Sequence, residues 1–227
     1  MKKALSSPTS IDQLMERADA MAGLTLAELA KRWQVQVPPD LRRDKGWVGQ
    51  LMELQLGASA GNKAEPDFPE IDVELKTLPI SYALAPLETT YVTVVPLTNI
   101  RALNWFDSVV YQKLKRVLWV PVQGEREIPV GDRIIGTPFL WQPSQQQLQM
   151  LRNDWEELME MVALGNINSI SAKFGDALHI RPKAANGRVL TDAIGEDGSP
   201  IKTLPRGFYL QKSFTQAILN QAFANDA

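Results

Sequence analysis

The spacing of apolar residues changes within the first third of the chain, and this change constrains the fold more than any other feature. Up to position 56, apolar side chains recur every three or four residues, as at Leu26, Leu29 and Trp33, which is the period of an amphipathic helix. Over 71–76 they alternate with charged residues, which predicts a strand with one apolar and one charged face. A chain that contains both periods is expected to form a mixed α/β (α+β) domain.

Capping signals mark the expected helices. Thr25 and Glu28 have the spacing of a capping box, and Ser144 precedes a long stretch of helical spacing. Further helices are predicted from Asp44 and from about Thr215. The acidic residues at 154–160, within the long helix, are expected to form a solvated face or, alternatively, to meet a partner protein.

Three further strand features follow from the composition of short segments. Pro79 is expected to close the strand over 71–76. The run 89–95 is β-branched and uninterrupted, which predicts a strand buried on both faces. Another buried strand is expected over 117–122, and a hairpin in the C-terminal quarter of the chain.

Composition excludes several classes of protein. The 227 residues contain no cysteine, which excludes disulfides and thiolate metal sites, and one histidine, His179, which excludes multi-histidine metal sites. The apolar runs 91–97 and 117–122 are far shorter than the roughly 20 residues of a membrane span. We therefore expect no membrane partner and a cytoplasmic protein. A net charge of −2 gives no global positive field.

The charged residues around the first predicted strand suggest a metal-dependent hydrolytic site. Glu74 and Lys76 are two apart, so in a strand their Cα atoms are about 6.6 Å apart and their side chains leave the same face. With Asp67, which follows Pro66 ahead of the strand, two carboxylates would bind a hard cation such as Mg²⁺, and the amine would serve an attacking water. Asp72 shares the predicted face of Glu74 and is an alternative metal ligand.

The same pattern has a simpler interpretation, because alternating charges on an edge strand are an ordinary protection against aggregation. Longer runs of sequence favour the catalytic interpretation. In order along nearly the whole chain, the sequence resembles the MutH family, within the restriction-endonuclease-like superfamily. The runs that carry this resemblance are RDKGWVGQLMELQLGASAG (43–61), DF (67–68), VELKT (73–77), PLETT (86–90), KLKRVLW (113–119), DWEELM (154–159), IRPKAAN (180–186) and LPRGFYL (204–210).

The resemblance implies a fold and a division of the chain. The expected fold is a restriction-endonuclease-like core, a central mixed sheet flanked by helices, with two arms around a DNA cleft. We expect a single domain over 1–227, with a catalytic arm over 1–122 and a DNA-recognition arm over 123–227.

The resemblance also implies roles for individual residues. Asp67 and Glu74 match the family's metal-binding acids, Lys76 its catalytic lysine and Glu53 a further active-site carboxylate. The remaining matches are Lys113, a lysine near the active site, Arg181, Pro182 and Lys183, a loop that enters the DNA groove, and Tyr209, which senses the adenine methyl group. We also assign Lys45, from the basic cluster 42–45, to DNA binding.

The implied function is a Mg²⁺-dependent endonuclease that nicks the unmethylated strand at hemimethylated GATC sites in methyl-directed mismatch repair. MutL is the expected activator, and nicking of one strand suits a monomer. The alternative is a catalytically silent or partner-dependent DNA-binding protein of the same fold.

This chain also departs from the family pattern. Asp72 stands where glycine is expected, and its side chain is expected to point away from the metal site or to bind the metal weakly. SVVYQ (108–112) lacks the positive charge expected before Lys113. His179 is expected to have a surface or packing role. Stacking of bases on Trp105, Trp119 or Trp141 stays open.

Overall fold

The computed structural model describes residues 5–61, 63–100, 103–184 and 187–224. Within these ranges the helices are α1 (Ile11–Asp19), α2 (Leu26–Trp33), α3 (Trp47–Leu56), α4 (Val109–Leu114), α5 (Gln145–Ala163) and α6 (Lys212–Phe223). The strands are β1 (Glu74–Ile80), β2 (Thr90–Val94), β3 (Val117–Gln123), β4 (Phe139–Trp141), β5 (Leu178–Pro182), β6 (Thr191–Ile194), β7 (Pro200–Thr203) and β8 (Arg206–Leu210). None of the described helices has the length and apolar character that crossing a membrane requires.

The chain divides into two compact units, each assembled from separate segments. The first unit takes its described residues from 1–88, 115–142 and 218–227, and the second from 89–114 and 143–217. The mixed α/β fold expected from the two apolar periods is confirmed, since helices and sheets occur in both units.

The first unit contains a three-stranded sheet in the order β1-β3-β4. The central strand β3 pairs in parallel with β1, where Glu74 lies opposite Val117 and Lys76 opposite Trp119, and antiparallel with β4. Six consecutive residues of β3, Val117–Val122, are buried, which confirms the buried strand predicted over 117–122. Because β1 lies at the edge of this sheet, Pro79 is tolerated inside it. The prediction that Pro79 closes the strand is therefore wrong.

The first strand also begins later than the alternation of apolar residues suggests. Residues Pro69–Ile71 form a 3₁₀ turn, Asp72 has a left-handed backbone with φ of 55°, and β1 starts at Glu74. Proline favours the first turn of a helix and aspartate tolerates the left-handed conformation, so this segment turns although its pattern alternates. Val73, Glu74 and Leu75 are buried in succession, so the predicted division of 71–76 into one apolar and one charged face is wrong.

The helices of the first unit supply most of its core. The capping box of Thr25 and Glu28 is present, and Leu26, Leu29 and Trp33 of α2 are buried as predicted. They pack in one cluster with residues of α1, α3, β1 and β3. The third helix begins at Trp47, three residues after the predicted start at Asp44, because residues 44–46 form a turn.

The second unit contains a three-stranded antiparallel sheet in the order β2-β8-β5. Leu178 pairs with Leu210 and Ile180 with Phe208, and all of these residues are buried, so they form the core face of the sheet. The prediction that 89–95 is buried on both faces is wrong: β2 lies at the sheet edge, and Val94 is 58% exposed. A β-branched run indicates a strand but does not determine whether its second face is covered.

Three further predictions concern the rest of the chain. The C-terminal hairpin is confirmed as β6 paired with β7. The last helix begins at Lys212, three residues before the predicted start. Base stacking on tryptophan is not supported, since Trp105, Trp119 and Trp141 are all buried.

The acidic segment of α5 is not a uniformly solvated face, because Asp154 is buried. Its Oδ2 accepts hydrogen bonds from the backbone N–H groups of Ala177 (2.7 Å) and Leu178 (2.8 Å), and its Oδ1 from that of Asp176 (3.2 Å). The chain can wrap around this carboxylate because Gly175 has φ of +83°, and a Cβ there would lie 1.9 Å from the Leu178 carbonyl oxygen. Asp154 therefore anchors the start of β5.

We expect Asp154→Ala to destabilise the protein by about 2–4 kcal/mol, because it leaves buried N–H groups without an acceptor. Glu157→Ala, an exposed position on the same helix, is the control and should change stability by less than about 0.5 kcal/mol. Urea unfolding of both variants checks this. Equal unfolding midpoints would show that the Asp154 contacts contribute nothing.

Candidate active site

A tight turn over 68–73 brings Asp67 and Glu74 near each other. The turn is closed by two backbone hydrogen bonds between Phe68 and Val73. Phe68 N–H donates to the Val73 carbonyl (2.9 Å), and Val73 N–H donates to the Phe68 carbonyl (3.2 Å). Asp67 precedes Phe68 and Glu74 follows Val73, so these two hydrogen bonds draw both acids toward the same point of the chain. The Asp67 carboxylate also accepts a hydrogen bond from the backbone N–H of Leu75 at 2.9 Å. The two acids predicted from sequence therefore lie beside each other.

Lys76 completes this group on β1. The Glu74 carboxylate forms an ion pair with the Lys76 ammonium, and their side chains are only 2% and 12% exposed. A buried carboxylate requires such compensation, because the loss of its hydration is costly. The backbone of Glu74 is held as well, since its N–H donates to the Arg116 carbonyl (3.0 Å). Both side chains are thus held at the start of β1.

The segment before the turn is fixed through its backbone. The Asp67 carbonyl accepts hydrogen bonds from Ser59 N–H (3.1 Å) and Ala60 N–H (3.4 Å), which follow α3 in the chain. Pro66 is buried and Asp67 is half-buried. The Asp67 side chain is therefore partly accessible, while its main chain is held beside the end of α3.

Glu53 lies on α3, a helix that packs against β1, and it is half-buried. Among the residues that the structure describes, no three or more acidic, histidine or cysteine side chains form a group able to hold a metal ion. Mg²⁺ does not require such a cage, because proteins commonly bind it through one or two carboxylates, with water and substrate phosphate completing the shell. The donor chemistry of Asp67 and Glu74 fits that mode of binding.

Asp72 does not share a strand face with Glu74, because the left-handed backbone at Asp72 breaks the alternation. Its side chain is 62% exposed and its Oδ1 lies 2.9 Å from the Lys115 ammonium. The geometry therefore disfavours Asp72 as the alternative metal ligand.

A second group of predicted residues lies on the outer face of the β2-β8-β5 sheet in the second unit. We call Tyr91, Arg181, Lys183 and Tyr209 the tyrosine face. Tyr91 and Tyr209 are cross-strand neighbours with ring centroids 5.4 Å apart. The Arg181 guanidinium carbon lies 5.8 Å from the Tyr209 ring centroid, and the Lys183 ammonium lies 2.9 Å from that of Tyr91. The two aromatic rings are therefore neighbours on one surface, and each has one cation against it.

Gly207 makes room for both rings. A Cβ at this position would lie 3.0 Å from Cε2 of both Tyr91 and Tyr209, which is closer than ordinary van der Waals contact. Sequence reasoning missed Tyr91 and Gly207, because the β-branched composition of β2 was interpreted as burial of both faces. The signal that would identify Tyr91 is its place directly across from Tyr209.

The other predicted residues have simpler surroundings. Pro182 is exposed at the end of β5, and Lys183 N–H donates to the Pro205 carbonyl (2.7 Å). Residues 185 and 186 of the predicted groove loop lie outside the described ranges. Lys45 is exposed in the turn before α3 in the first unit, and Lys113 lies in the last turn of α4 in the second.

His179 lies directly across from Tyr209 on the same face of the sheet and is only 3% exposed, which fits a packing role and not a surface one. Its ring meets that of Tyr209 edge-on, with centroids 6.2 Å apart. Nδ1 lies 3.0 Å from the Ala172 carbonyl, which only accepts, so Nδ1 carries the proton. Within the described ranges Nε2 has no hydrogen-bond partner. Burial lowers the pKa of His179, the Arg181 charge lowers it further, and the bond to Ala172 acts in the opposite direction.

Similarity to known proteins agrees with this geometry. Residues 56–154 match a family model described as "DNA mismatch repair enzyme MutH". A "DNA mismatch repair protein MutH" of Shewanella sp. (strain MR-7) is 56% identical over 97% of this chain and 99% of its own length. Proteins with the same name from Shewanella baltica (strain OS155) and Vibrio campbellii are 57% and 56% identical, over 95% and 96% of this chain and 97% and 96% of their own lengths.

The chain belongs to the MutH family. Members of this family are DNA mismatch-repair endonucleases, so the chain is an enzyme that acts on DNA, and its mixed α/β fold is restriction-endonuclease-like. The matched region 56–154 includes Asp67, Glu74, Lys76 and Lys113. The tyrosine-face residues Arg181, Lys183 and Tyr209 lie beyond it, in the part covered by the full-length MutH relatives.

The lowered pKa of His179 predicts acid sensitivity of the fold. Below the ordinary histidine pKa of about 6.5 the unfolded chain binds a proton that the folded chain resists, so stability falls as the pH decreases through that value. His179 is the only histidine in the sequence, so His179→Gln should reduce the loss of stability between pH 7 and pH 5.5. Thermal unfolding at both pH values measures it. An unchanged pH dependence would assign the loss to carboxylates.

Proposed function

We propose that this enzyme is a Mg²⁺-dependent endonuclease that nicks the unmethylated strand of hemimethylated GATC sites. The observation that carries the proposal is the group formed by Asp67, Glu74 and Lys76, in which two carboxylates and one amine meet at the start of β1. These are the groups that hydrolysis of a phosphodiester by a metal-dependent enzyme requires. Glu74 and Lys76 are largely desolvated, and electrostatic interactions are stronger in such surroundings than in water.

Asp67 and Glu74 would hold the ion through their carboxylate oxygens. When bound, Mg²⁺ would supply Lewis-acid chemistry, activating water and stabilising charge on the departing 3′ oxygen. Lys76 orients the attacking water on the same side of the strand as Glu74, and Glu53 assists from α3. Lys113 contacts phosphate.

Recognition belongs to the tyrosine face and the loop after β5. The planar fork of Arg181 suits the O6 and N7 acceptors of guanine, while Lys183 meets a phosphate and Pro182 shapes the loop that enters the groove. Tyr209 is assigned to sensing the adenine methyl group, since a bulky ring beside the adenine of the strand to be cut leaves no room for an added methyl. Lys45 adds a phosphate contact.

Further parts of the proposal rest on membership of the MutH family. The enzyme acts as a monomer, because a symmetric dimer would tend to cut both strands. MutL activates it, and the cytoplasm, where bacterial DNA lies, is its location. We keep the single domain over 1–227, with a catalytic arm over 1–122 and a recognition arm over 123–227, as part of this proposal.

Lys76→Ala tests the catalytic assignment. We expect nicking of a hemimethylated GATC duplex in Mg²⁺ to fall by about 10²–10⁴-fold, the range that loss of a proton-transfer group produces. Lys63→Ala removes an exposed lysine of the same unit, which pairs with Glu65, and should leave the rate unchanged. The measurement is the single-turnover nicking rate, with and without MutL, and with EDTA as the metal-free control.

Two results would contradict this assignment. Unchanged nicking by Lys76→Ala would remove the amine from the mechanism. No nicking by the parent protein, even with MutL, would instead favour a DNA-binding protein in which the Glu74–Lys76 ion pair is structural.

Tyr209→Ala tests the methyl sensor. The parent should prefer hemimethylated over fully methylated duplexes, and the variant should lose about 10- to 200-fold of that preference, which is what a single methyl difference contributes in an apolar contact. Tyr82→Ala, at an exposed tyrosine of the first unit, is the control. Nicking rates on unmethylated, hemimethylated and fully methylated duplexes give the preference directly. A preference that survives in Tyr209→Ala would place methyl sensing elsewhere.

A further inference from the structure

Thr89 holds the side chain of Arg181 at the edge of the second unit's sheet. Nη1 of Arg181 donates a hydrogen bond to Oγ1 of Thr89 at 2.9 Å. Thr89 immediately precedes β2, and Arg181 lies on β5, so the bond crosses the sheet and joins residues 92 positions apart in sequence. The proposed catalytic and recognition residues do not include Thr89.

We propose that Thr89 is a positioning residue that orients the Arg181 guanidinium for guanine. This inference rests on the proposed role of Arg181 in reading GATC. The hydroxyl holds one end of the guanidinium, and the Tyr209 ring lies 5.8 Å from its central carbon. Two contacts of different kinds thus restrict the orientation of the fork.

The physical reason is that bidentate recognition depends on geometry. An arginine side chain has many rotamers, and ordering them on binding reduces affinity. A fork already held in one orientation loses less freedom when it meets guanine O6 and N7. The guanidinium has five N–H donors, so a bond to Thr89 uses one of them and still permits a bidentate contact.

The surroundings of Arg181 suit this role. Arg181 is exposed, so the bond to Thr89 is not required to satisfy a buried charge. Its cross-strand neighbour on β8 is Gly207, which presents no side chain beside the fork. Thr89 is half-buried, and its position is fixed because Thr90 begins the pairing of β2 with β8.

Two substitutions at Thr89 separate the hydroxyl from the shape of the side chain. Thr89→Val keeps the β-branched shape and removes the acceptor, whereas Thr89→Ser keeps the acceptor and removes a methyl group. We expect Thr89→Val to weaken binding of a GATC duplex by about 3- to 12-fold, the range of one ordinary hydrogen bond, and Thr89→Ser to bind as the parent does. Fluorescence anisotropy in EDTA at one fixed salt concentration measures binding without catalysis.

The decisive comparison is a double-mutant cycle that combines Thr89→Val with Arg181→Ala. If Thr89 acts through Arg181, Thr89→Val should have no further effect in the Arg181→Ala background. Replacing the guanines of the GATC duplex by 7-deazaguanine, which lacks N7, should weaken binding by the parent protein more than binding by Thr89→Val. A purely structural role of Thr89 would not change the response to one atom of the base.

The outcomes distinguish this inference from the function on which it rests. If Arg181→Ala weakens GATC binding while Thr89→Val does not, or if the two effects add independently, Thr89 is not a positioning residue and the role of Arg181 stands. If Arg181→Ala binds GATC and 7-deazaguanine duplexes as the parent does, the assignment of Arg181 fails, and that of Thr89 fails with it. A lowered unfolding temperature in Thr89→Val but not in Thr89→Ser, with unchanged discrimination between bases, would also overturn it.

Discussion

The buried charge of Glu74 is the constraint on which the candidate active site depends. A carboxylate with 2% of its side chain exposed has lost nearly all of its hydration and needs a cation beside it. Lys76 supplies that cation because strand geometry projects residues two apart to the same side. The turn over 68–73 then places Asp67 beside the same stretch of backbone. The site is thus an outcome of local chain geometry around one desolvated charge.

The tyrosine face of the second unit has a different physical basis. The core face of the β2-β8-β5 sheet is buried and apolar, so the outer face can carry residues chosen for contact with a ligand. Tyr91 and Tyr209 spread their rings over the gap left by Gly207, and Arg181 and Lys183 lie against those rings. Aromatic faces hold cations without neutralising them, so both charges remain available to a polyanion.

The side chains of the candidate site could be predicted from the sequence better than the backbone that carries them. Asp67, Glu74 and Lys76 were identified by residue type and spacing, and the structure brings them together. The alternation of apolar and charged residues over 71–76 suggested a strand, yet the first half of this segment belongs to a turn. Over so few residues, an alternating pattern does not distinguish a strand from a turn.

Contacts between residues far apart in sequence account for what could not be predicted. Asp154 looked like one of several exposed acids, because nothing near it in the chain indicates that the backbone of 176–178 binds it. Thr89 and Tyr91 depend in the same way on strand pairing: their neighbours Arg181 and Tyr209 are brought beside them only by the order β2-β8-β5. A single sequence contains residue types and local periods, but it does not state which strands pair.

The Glu74–Lys76 ion pair also bears on how the proposed mechanism would be controlled. A divalent cation bound by Glu74 would compete with the Lys76 ammonium for the same carboxylate oxygens, since one carboxylate cannot fully compensate both charges in a desolvated site. Cation binding would therefore release Lys76 from its ion pair, on the strand face from which Glu74 also projects. In this scheme one carboxylate couples occupancy of the metal site to the freedom of the lysine side chain.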